Sequence, residues 1–388
     1  MLTYEQIQNN TASAGLISIA TEYYIDLLAL FSLLLIIAIK IIVSVFYRKD
    51  TDKIVNQSSA QLFYVVNLLN LFAIIGIITT NNIFNLYIFI EIYSFTFYAI
   101  TSLAAELPIA RLSLQYFCQS VLGGILLLIA FLAIYIITGQ SKINLLSENI
   151  NYLFASDNFI AKLLFWLILS GIVLKFFPHQ FYNSKISGKI SSKNFITNFI
   201  DNSAIFVKSN LGLYLLQRTI FTMFGSNLIF SEFKFYIILT ILGLILIFYA
   251  NSKLLKLLNT FTKNLKSIAN NIILSNLGLV IITIAINSKI ATIGGNFYII
   301  NYSLIGLLLF FVSANKDSNM ANLIFKITIL LIAYLPLTLG FWGNFYLTLA
   351  LMDFSRSWFL SLLALLALLI NNFIAFKLVL KMSNNQEI

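Results

Sequence analysis

One acidic and two basic residues lie inside long apolar stretches of this sequence. Glu91 lies within Ile83–Ala105, a run that contains no Lys or Arg, and Lys175 and Lys208 lie within two later runs. Ionisable groups at membrane depth are costly, so they usually face a protein interior and serve a function there. A carboxylate and two amines, with almost no other chemistry available, therefore predict proton or ion movement.

Glu91 has two interpretations. It can be a neutral acid that is hydrogen-bonded to a neighbouring helix and only stabilises packing, because burial disfavours a charged carboxylate. It can instead exchange its proton as a nearby cation approaches or leaves. Ser94 and Tyr98 follow it by one and two turns, so we expect them to share its face and extend a hydrogen-bonded path. We favour proton transfer, since intramembrane ionisable groups are functional by default.

The two lysines raise the same question. Lys175 comes three residues before Pro178, whose missing backbone donor frees carbonyls that could hold the amine. The alternative is a lysine that extends to the membrane surface. Lys208 lies near the middle of its run, where reaching the surface is harder, and Asp201 could be its counter-ion. We expect both lysines to belong to the proton relay.

Other polar residues in the apolar segments are weaker candidates. His179 could shuttle protons near neutral pH, or it could be a packing residue beside the proline. Lys326 lies near the start of its segment, so an interfacial position is the simpler interpretation and a secondary relay or gate is the alternative. Lys40 and Asp26 lie toward the ends of the first segment, where we expect them to act as anchors.

These residues belong to a chain of 388 residues that is 60% apolar and 10% charged. No soluble core could bury so much apolar surface, so the composition predicts an all-α polytopic membrane protein. At about 20 residues per crossing, we count eleven membrane-spanning segments. They are Tyr23–Phe46, Ala60–Thr79, Ile83–Ala105, Ile109–Thr138, Phe159–Tyr182, Phe195–Phe224, Phe235–Ala250, Ile268–Asn287, Phe297–Val312, Leu323–Leu349 and Trp358–Leu380.

Lys and Arg are concentrated in alternate loops between these segments. The loops after odd-numbered segments hold most of them, including Arg48, Lys189 and Lys263. Basic loops favour the inner side of a membrane, so this pattern predicts an outer N-terminus and an inner C-terminus. The net charge of +10 reflects these short loops, and we expect no nucleic acid as a partner.

Two of the three prolines lie well inside spans, Pro178 in the fifth and Pro336 in the tenth. Proline breaks the helical hydrogen-bond ladder, so each predicts an interrupted helix. The two breaks are five segments apart, which indicates inverted five-helix repeats at 59–224 and 235–381, after an N-terminal segment, 1–58, with the first helix. All belong to one transmembrane domain, 1–388. Two unrelated kinks are the alternative.

No cofactor is predicted in this chain. It has one cysteine, Cys118, and one histidine, and it lacks a phosphate-binding glycine loop. An iron–sulfur cluster needs several cysteines, and a pair of histidine ligands for haem needs two histidines. We therefore expect no metal site and no electron transfer within this chain.

With these residues placed, five segments resemble the chain 2 family of antiporter-like membrane subunits of respiratory NADH:ubiquinone oxidoreductase (complex I). They correspond to the family's glutamate helix, the helix after it, the first broken helix, the central-lysine helix and the second broken helix. In that order they are Asn85–Leu103, Ala110–Gly139, Leu174–Tyr182 (LKFFPHQFY), Val207–Arg218 (VKSNLGLYLLQR) and Leu335–Leu347 (LPLTLGFWGNFYL).

The resemblance implies that Glu91 and Lys175 form a glutamate–lysine pair and that Lys208 is a central lysine on a hydrated axis. It also implies that the chain is a subunit of a proton-translocating NADH:ubiquinone reductase, with FMN, iron–sulfur clusters and ubiquinone in other subunits. Its partners would be neighbouring membrane-arm subunits and membrane lipids. A residue bias typical of AT-rich genes fits an organelle genome, although low-GC bacteria share it. In the mitochondrial inner membrane the N-terminus would lie in the intermembrane space and the C-terminus in the matrix.

Two positions differ from the family pattern. Asn276 stands where the family usually has histidine, and Asn344 replaces the lysine of the second broken helix. Asparagine binds water but cannot carry a proton, so the terminal relay is altered unless Lys326 substitutes for it. Two alternatives therefore stay open: a structural subunit that has lost pumping, and an autonomous cation/proton antiporter or flippase built on the same broken helices.

Overall fold

The computed structural model describes residues 23–54, 57–103, 107–153, 158–176, 195–225, 234–257, 265–314, 319–354 and 357–384. In these ranges the chain is almost entirely helical, apart from two isolated β-bridges that join Tyr23 to Thr80 and Asn82 to Lys142. Long apolar runs become helices because a helix satisfies its backbone groups internally, which lipid requires. The predicted all-α membrane fold is confirmed.

The structure describes thirteen α-helices in this part of the chain. They are α1 Leu27–Ile54, α2 Gln57–Thr79, α3 Ile83–Leu103, α4 Leu107–Thr138, α5 Ile143–Leu153, α6 Asn158–Phe176, α7 Phe195–Arg218, α8 Phe235–Leu257, α9 Leu265–Ile286, α10 Lys289–Ala314, α11 Asn319–Ile332, α12 Leu339–Met352 and α13 Trp358–Asn384. Eight of these helices are long and apolar enough to cross a membrane, and three further apolar helices are shorter.

The helices follow the predicted segments, with several differences at their ends and one added helix. Helix α1 continues to Ile54, past the predicted end at Phe46, because the polar residues that follow are still compatible with a helix. Helix α5 has no predicted counterpart, since its eleven residues form a short amphipathic helix that mixes polar and apolar residues instead of a long apolar run. Helix α7 ends in a π-helical turn, Thr219–Met223.

The predicted break at Pro336 is present. Helix α11 ends at Ile332 and helix α12 begins at Leu339, so the single predicted segment Leu323–Leu349 is two helices. Tyr334 has a positive φ of 52° between them, an unusual conformation for a residue with a side chain. The other predicted break, at Pro178, and the neighbouring His179 lie outside the described residues.

Glycines allow two helix pairs to approach closely. A Cβ atom at Gly123 of α4 would lie 2.8 Å from the Gly171 carbonyl oxygen of α6, and one at Gly278 of α9 would lie 2.7 Å from the Gly243 oxygen of α8. Small residues at such crossings are typical of membrane helix pairs. We call residues 23–225 (α1–α7) the first half and residues 234–384 (α8–α13) the second half. Their description as inverted repeats stays a prediction.

Candidate proton-transfer site

Glu91 and Lys175 form an ion pair in the first half. The Lys175 Nζ atom lies 2.8 Å from Oε1 of Glu91, and it also donates to the Ser120 carbonyl oxygen at 3.2 Å. Lys175 is 1% exposed, and the Glu91 side chain is 21% exposed. Three helices, α3, α4 and α6, thus meet at one buried amine. The lysine points inward instead of extending to the membrane surface.

Glycines in α4 make room for this pair. A Cβ atom at Gly124 would lie 3.0 Å from Lys175 Nζ and would also contact the Glu91 carboxylate. The neighbouring Gly123 brings α6 against α4, with Lys175 at the crossing. Because no side chain occupies this space, the carboxylate and the amine can meet across α4.

Lys208 is the second buried amine. It is 5% exposed, and its Nζ atom lies 5.1 Å from the centre of the Phe97 ring of α3. Lys175 is the other buried amine of the first half. Within the described part of the chain, no carboxylate forms an ion pair with Lys208, and the Asp201 side chain lies outside that part. Two cations in a low-dielectric interior repel, so the Glu91 carboxylate stabilises the amine nearer to it.

The polar path expected beyond Glu91, through Ser94 and Tyr98, stays a prediction. The Ser94 hydroxyl donates to the Ile90 carbonyl oxygen of its own helix at 2.8 Å. The Tyr98 ring packs 4.9 Å from the ring of Phe117. Tyr87 lies one turn before Glu91 on α3 and so shares its side of the helix. The same helical spacing applies in both directions, so the sequence carried a signal for Tyr87 that the prediction did not use.

The candidate asparagines of the second half are neutral and hydrogen-bonded. The Tyr298 hydroxyl donates to Asn344 Oδ1 at 2.5 Å, and Asn344 donates to Asn372 Oδ1 at 3.1 Å. The Tyr334 hydroxyl donates to Asn276 Oδ1 at 3.1 Å. Both asparagines singled out from the sequence are therefore hydrogen-bonded to tyrosines near the break at Pro336. The remaining candidate, Lys326, has an exposed side chain on α11.

Three polar residues of α7 anchor it to other elements. Asn210 accepts from the Tyr302 hydroxyl of α10 and donates to Ser303 at 3.3 Å. The Tyr214 hydroxyl donates to the Ile78 carbonyl oxygen of α2 at 2.6 Å. These residues and Arg218 recur every four positions, so they share one side of α7. Lys208 lies two residues before Asn210 and hence on the other side.

Arg218 is the last of these anchors. Its Nη1 atom lies 2.6 Å from Oδ2 of Asp26, and its guanidinium lies 4.6 Å from the centre of the Tyr24 ring. Asp26 Oδ1 also accepts the backbone N–H of Ala29 at 2.8 Å, which caps the start of α1. Asp26 was expected to act as an anchor, and through this ion pair it joins α1 to α7. The sequence could not indicate this partner, since the two residues are 192 positions apart.

We compared this chain with known proteins. No family model matches the chain. An antiporter subunit of Staphylococcus saprophyticus (mnhA2) is 31% identical over 233 residues, which are 59% of this chain and 27% of that protein. The chain spans less than a third of the length of the curated relatives it matches.

Two solved structures share the fold over nearly the whole chain. A chain of the Mrp complex from Dietzia sp. DQ12-45-1b matches with a TM-score of 0.71 and 14% identity, covering 96% of this chain and 72% of that one. A chain of respiratory complex I from Thermus thermophilus with bound NADH matches with a TM-score of 0.65 and 16% identity, covering 93% and 75%. This chain is therefore a multi-pass membrane protein with the fold of membrane subunits of the Mrp complex and complex I.

Proposed function

We propose that this chain is a proton-translocating membrane subunit of a respiratory complex, with Glu91, Lys175 and Lys208 as its proton relay. The buried ion pair between Glu91 and Lys175 is the observation that carries the proposal. A carboxylate and an amine 2.8 Å apart, enclosed by apolar helices, can exchange or share a proton. Their charge state responds to nearby charges because the surrounding dielectric is low.

The relay works through the charge of the pair. While the Glu91 carboxylate faces Lys175, it stabilises the ammonium form of that lysine. When a positive charge approaches Glu91 from a neighbouring subunit, this stabilisation weakens and Lys175 releases a proton to water. The electron pair of the broken N–H bond stays on the nitrogen. Lys208 can then accept a proton from water, because the neutral Lys175 no longer repels a positive charge there.

The finer proposal is membership of complex I, as its chain 2 in the mitochondrial inner membrane, with the N-terminus in the intermembrane space. The shared fold with a complex I chain and the quoted motif resemblances support it. In that setting FMN, iron–sulfur clusters and ubiquinone belong to other subunits. Proton movement through this chain would be coupled to their redox reaction by electrostatics.

A cation/proton antiporter complex is the second candidate. The sequence match to the staphylococcal antiporter subunit favours it, as does the fold shared with a chain of the Mrp complex. The same ion pair would serve this function, with proton movement coupled to a cation gradient instead of a redox reaction.

Purification followed by reconstitution tests these proposals. Recovery of the chain in a particle that oxidises NADH and contains iron–sulfur clusters supports complex I, and recovery in a particle without redox centres that exchanges cations for protons supports the antiporter. In either particle, the Glu91→Gln variant should assemble and move fewer protons per turnover. An assembled variant with unchanged proton stoichiometry would show that the subunit is structural and would refute the relay.

A further inference from the structure

A third lysine of the first half, the half-buried Lys40, has a polar partner on a neighbouring helix and no part in the relay described above. The Nζ atom of Lys40, on α1, donates to Asn70 Oδ1 of α2 at 2.7 Å. Asn70 is buried. The basic loop residue Arg48 comes eight positions later, about 12 Å along the helix. The hydrogen bond to α2 gives Lys40 a partner that the anchor prediction did not include.

The Asn70 amide has a fixed orientation. Its Nδ2 atom donates to Thr96 Oγ1 of α3 at 2.9 Å, and the Thr96 hydroxyl donates to the Ile92 carbonyl oxygen at 2.8 Å. Because Thr96 gives its only proton to that carbonyl, it can only accept from Asn70. The amide oxygen of Asn70 is therefore directed toward Lys40, and the three helices are joined through one chain of hydrogen bonds.

A neutral acceptor leaves the lysine free to change its charge. An amide oxygen accepts a hydrogen bond from an ammonium group and from a neutral amine, since both carry N–H donors. Lys175 differs, because its carboxylate partner favours the charged form. Across the ranges that the structure describes, no carboxylate forms an ion pair with Lys40. Losing a proton would therefore keep the link between Lys40 and Asn70.

The surroundings of Lys40 contain few other charges. Helix α2 has no charged residue in its span, and helix α3 has only Glu91, five residues before Thr96 and about 7.5 Å away along the helix axis. On α7, which also packs against α1, the buried cations are Lys208 and Arg218. The hydrogen-bond chain from Lys40 therefore reaches α3 at Thr96, on the Leu103 side of Glu91.

We propose that Lys40 is a further proton-carrying residue of the first half. In this step an N–H bond of the ammonium breaks, the proton passes to a water molecule and the electron pair stays on nitrogen. The neutral amine later takes a proton from another water molecule. The inference rests on the proposed function, which it extends by a carrier on the side of the Leu103 end of α3.

Two substitutions separate proton transfer from other roles. Lys40→Met removes the amine, whereas Lys40→Arg keeps a positive charge and a donor for Asn70 but does not release its proton at working pH. We expect both variants to assemble and to reduce the protons moved per turnover toward the level of Glu91→Gln. The matched controls are Lys377→Met and Lys377→Arg, which change an exposed lysine of α13 and should leave proton movement unchanged.

The outcomes distinguish this inference from the proposed function. Full proton movement in Lys40→Arg would show that Lys40 supplies only charge or packing and would overturn the inference. If Lys40→Met fails to assemble, Lys40→Arg decides the question. If Glu91→Gln is impaired and both Lys40 variants are normal, the inference fails and the relay stands. If Glu91→Gln itself is normal, the proposed function fails.

Discussion

The two halves of this molecule handle buried polar groups in opposite ways. Within the described residues, the charged side chains that are fully buried are Lys175, Lys208 and Arg218, and all three belong to the first half. The second half buries amides and phenols, such as the Tyr298–Asn344 and Tyr334–Asn276 pairs. The two lysine amines can change protonation state, whereas amides cannot. The comparison suggests that the first half moves protons and that the second half satisfies its broken helix with neutral hydrogen bonds.

The largest effect is expected from breaking the ion pair. Lys175→Met leaves the Glu91 carboxylate unpaired, and removing one partner of a buried pair costs about 3–5 kcal/mol. Replacing both, in Glu91→Leu/Lys175→Met, should recover much of that stability because neither charge remains. Thermal denaturation in detergent measures the stabilities, and reconstituted vesicles measure proton movement. The double variant should be stable yet inactive; restored proton movement would contradict the relay.

A pair of glycine substitutions sharpens the contrast between the halves. Gly124→Ala places a methyl group between Glu91 and Lys175, and Gly278→Ala places one against the Gly243 carbonyl oxygen of α8. Each should cost about 1–3 kcal/mol through overpacking. Only Gly124→Ala should lower the protons moved per turnover, since only it separates the ion pair. Equal losses in both variants would show that packing alone controls transport.

Breaking a neutral hydrogen-bonded pair of the second half should have a smaller effect on stability. Tyr298→Phe removes the donor to Asn344 Oδ1, which should cost about 1–2 kcal/mol. Because neither residue carries a proton in our interpretation, the proton stoichiometry of assembled protein should stay unchanged. The same vesicle assay provides the check, with Tyr236→Phe as a control for a tyrosine outside this network. A stoichiometry as low as that of Glu91→Gln would show that the second half also carries protons.

The smallest effect is expected at the ring beside Lys208. Phe97→Leu keeps an apolar side chain but removes the aromatic face 5.1 Å from the amine. Such cation–π contacts contribute about 0.5–1 kcal/mol or somewhat more when desolvated. Denaturation midpoints should fall slightly, and the distant Phe359→Leu substitution on α13 should have less effect. An equal fall in both variants would argue that the ring only fills space.

The sequence alone could place the relay residues within apolar segments, but it could not identify the residues that they contact. Glu91, Lys175 and the break at Pro336 could be recognised because hydropathy and proline act locally along the chain. The pairing of Glu91 with Lys175 was implied only by family resemblance, since 84 positions separate them. The contact between Lys40 and Asn70 was missed for the same physical reason. Periodicity defines the faces of a helix, but packing decides which faces meet.

The anchored side of α7 has a consequence for how this protein can move. Asn210, Tyr214 and Arg218 connect it to α10, α2 and the segment before α1, respectively. Because α7 is bonded at three positions along one side, it cannot translate or rotate as a whole without breaking several of these contacts together. Displacement of Lys208 during turnover would therefore require bending of α7 ahead of Asn210. Otherwise the backbone stays still, and only the distribution of charge and water changes.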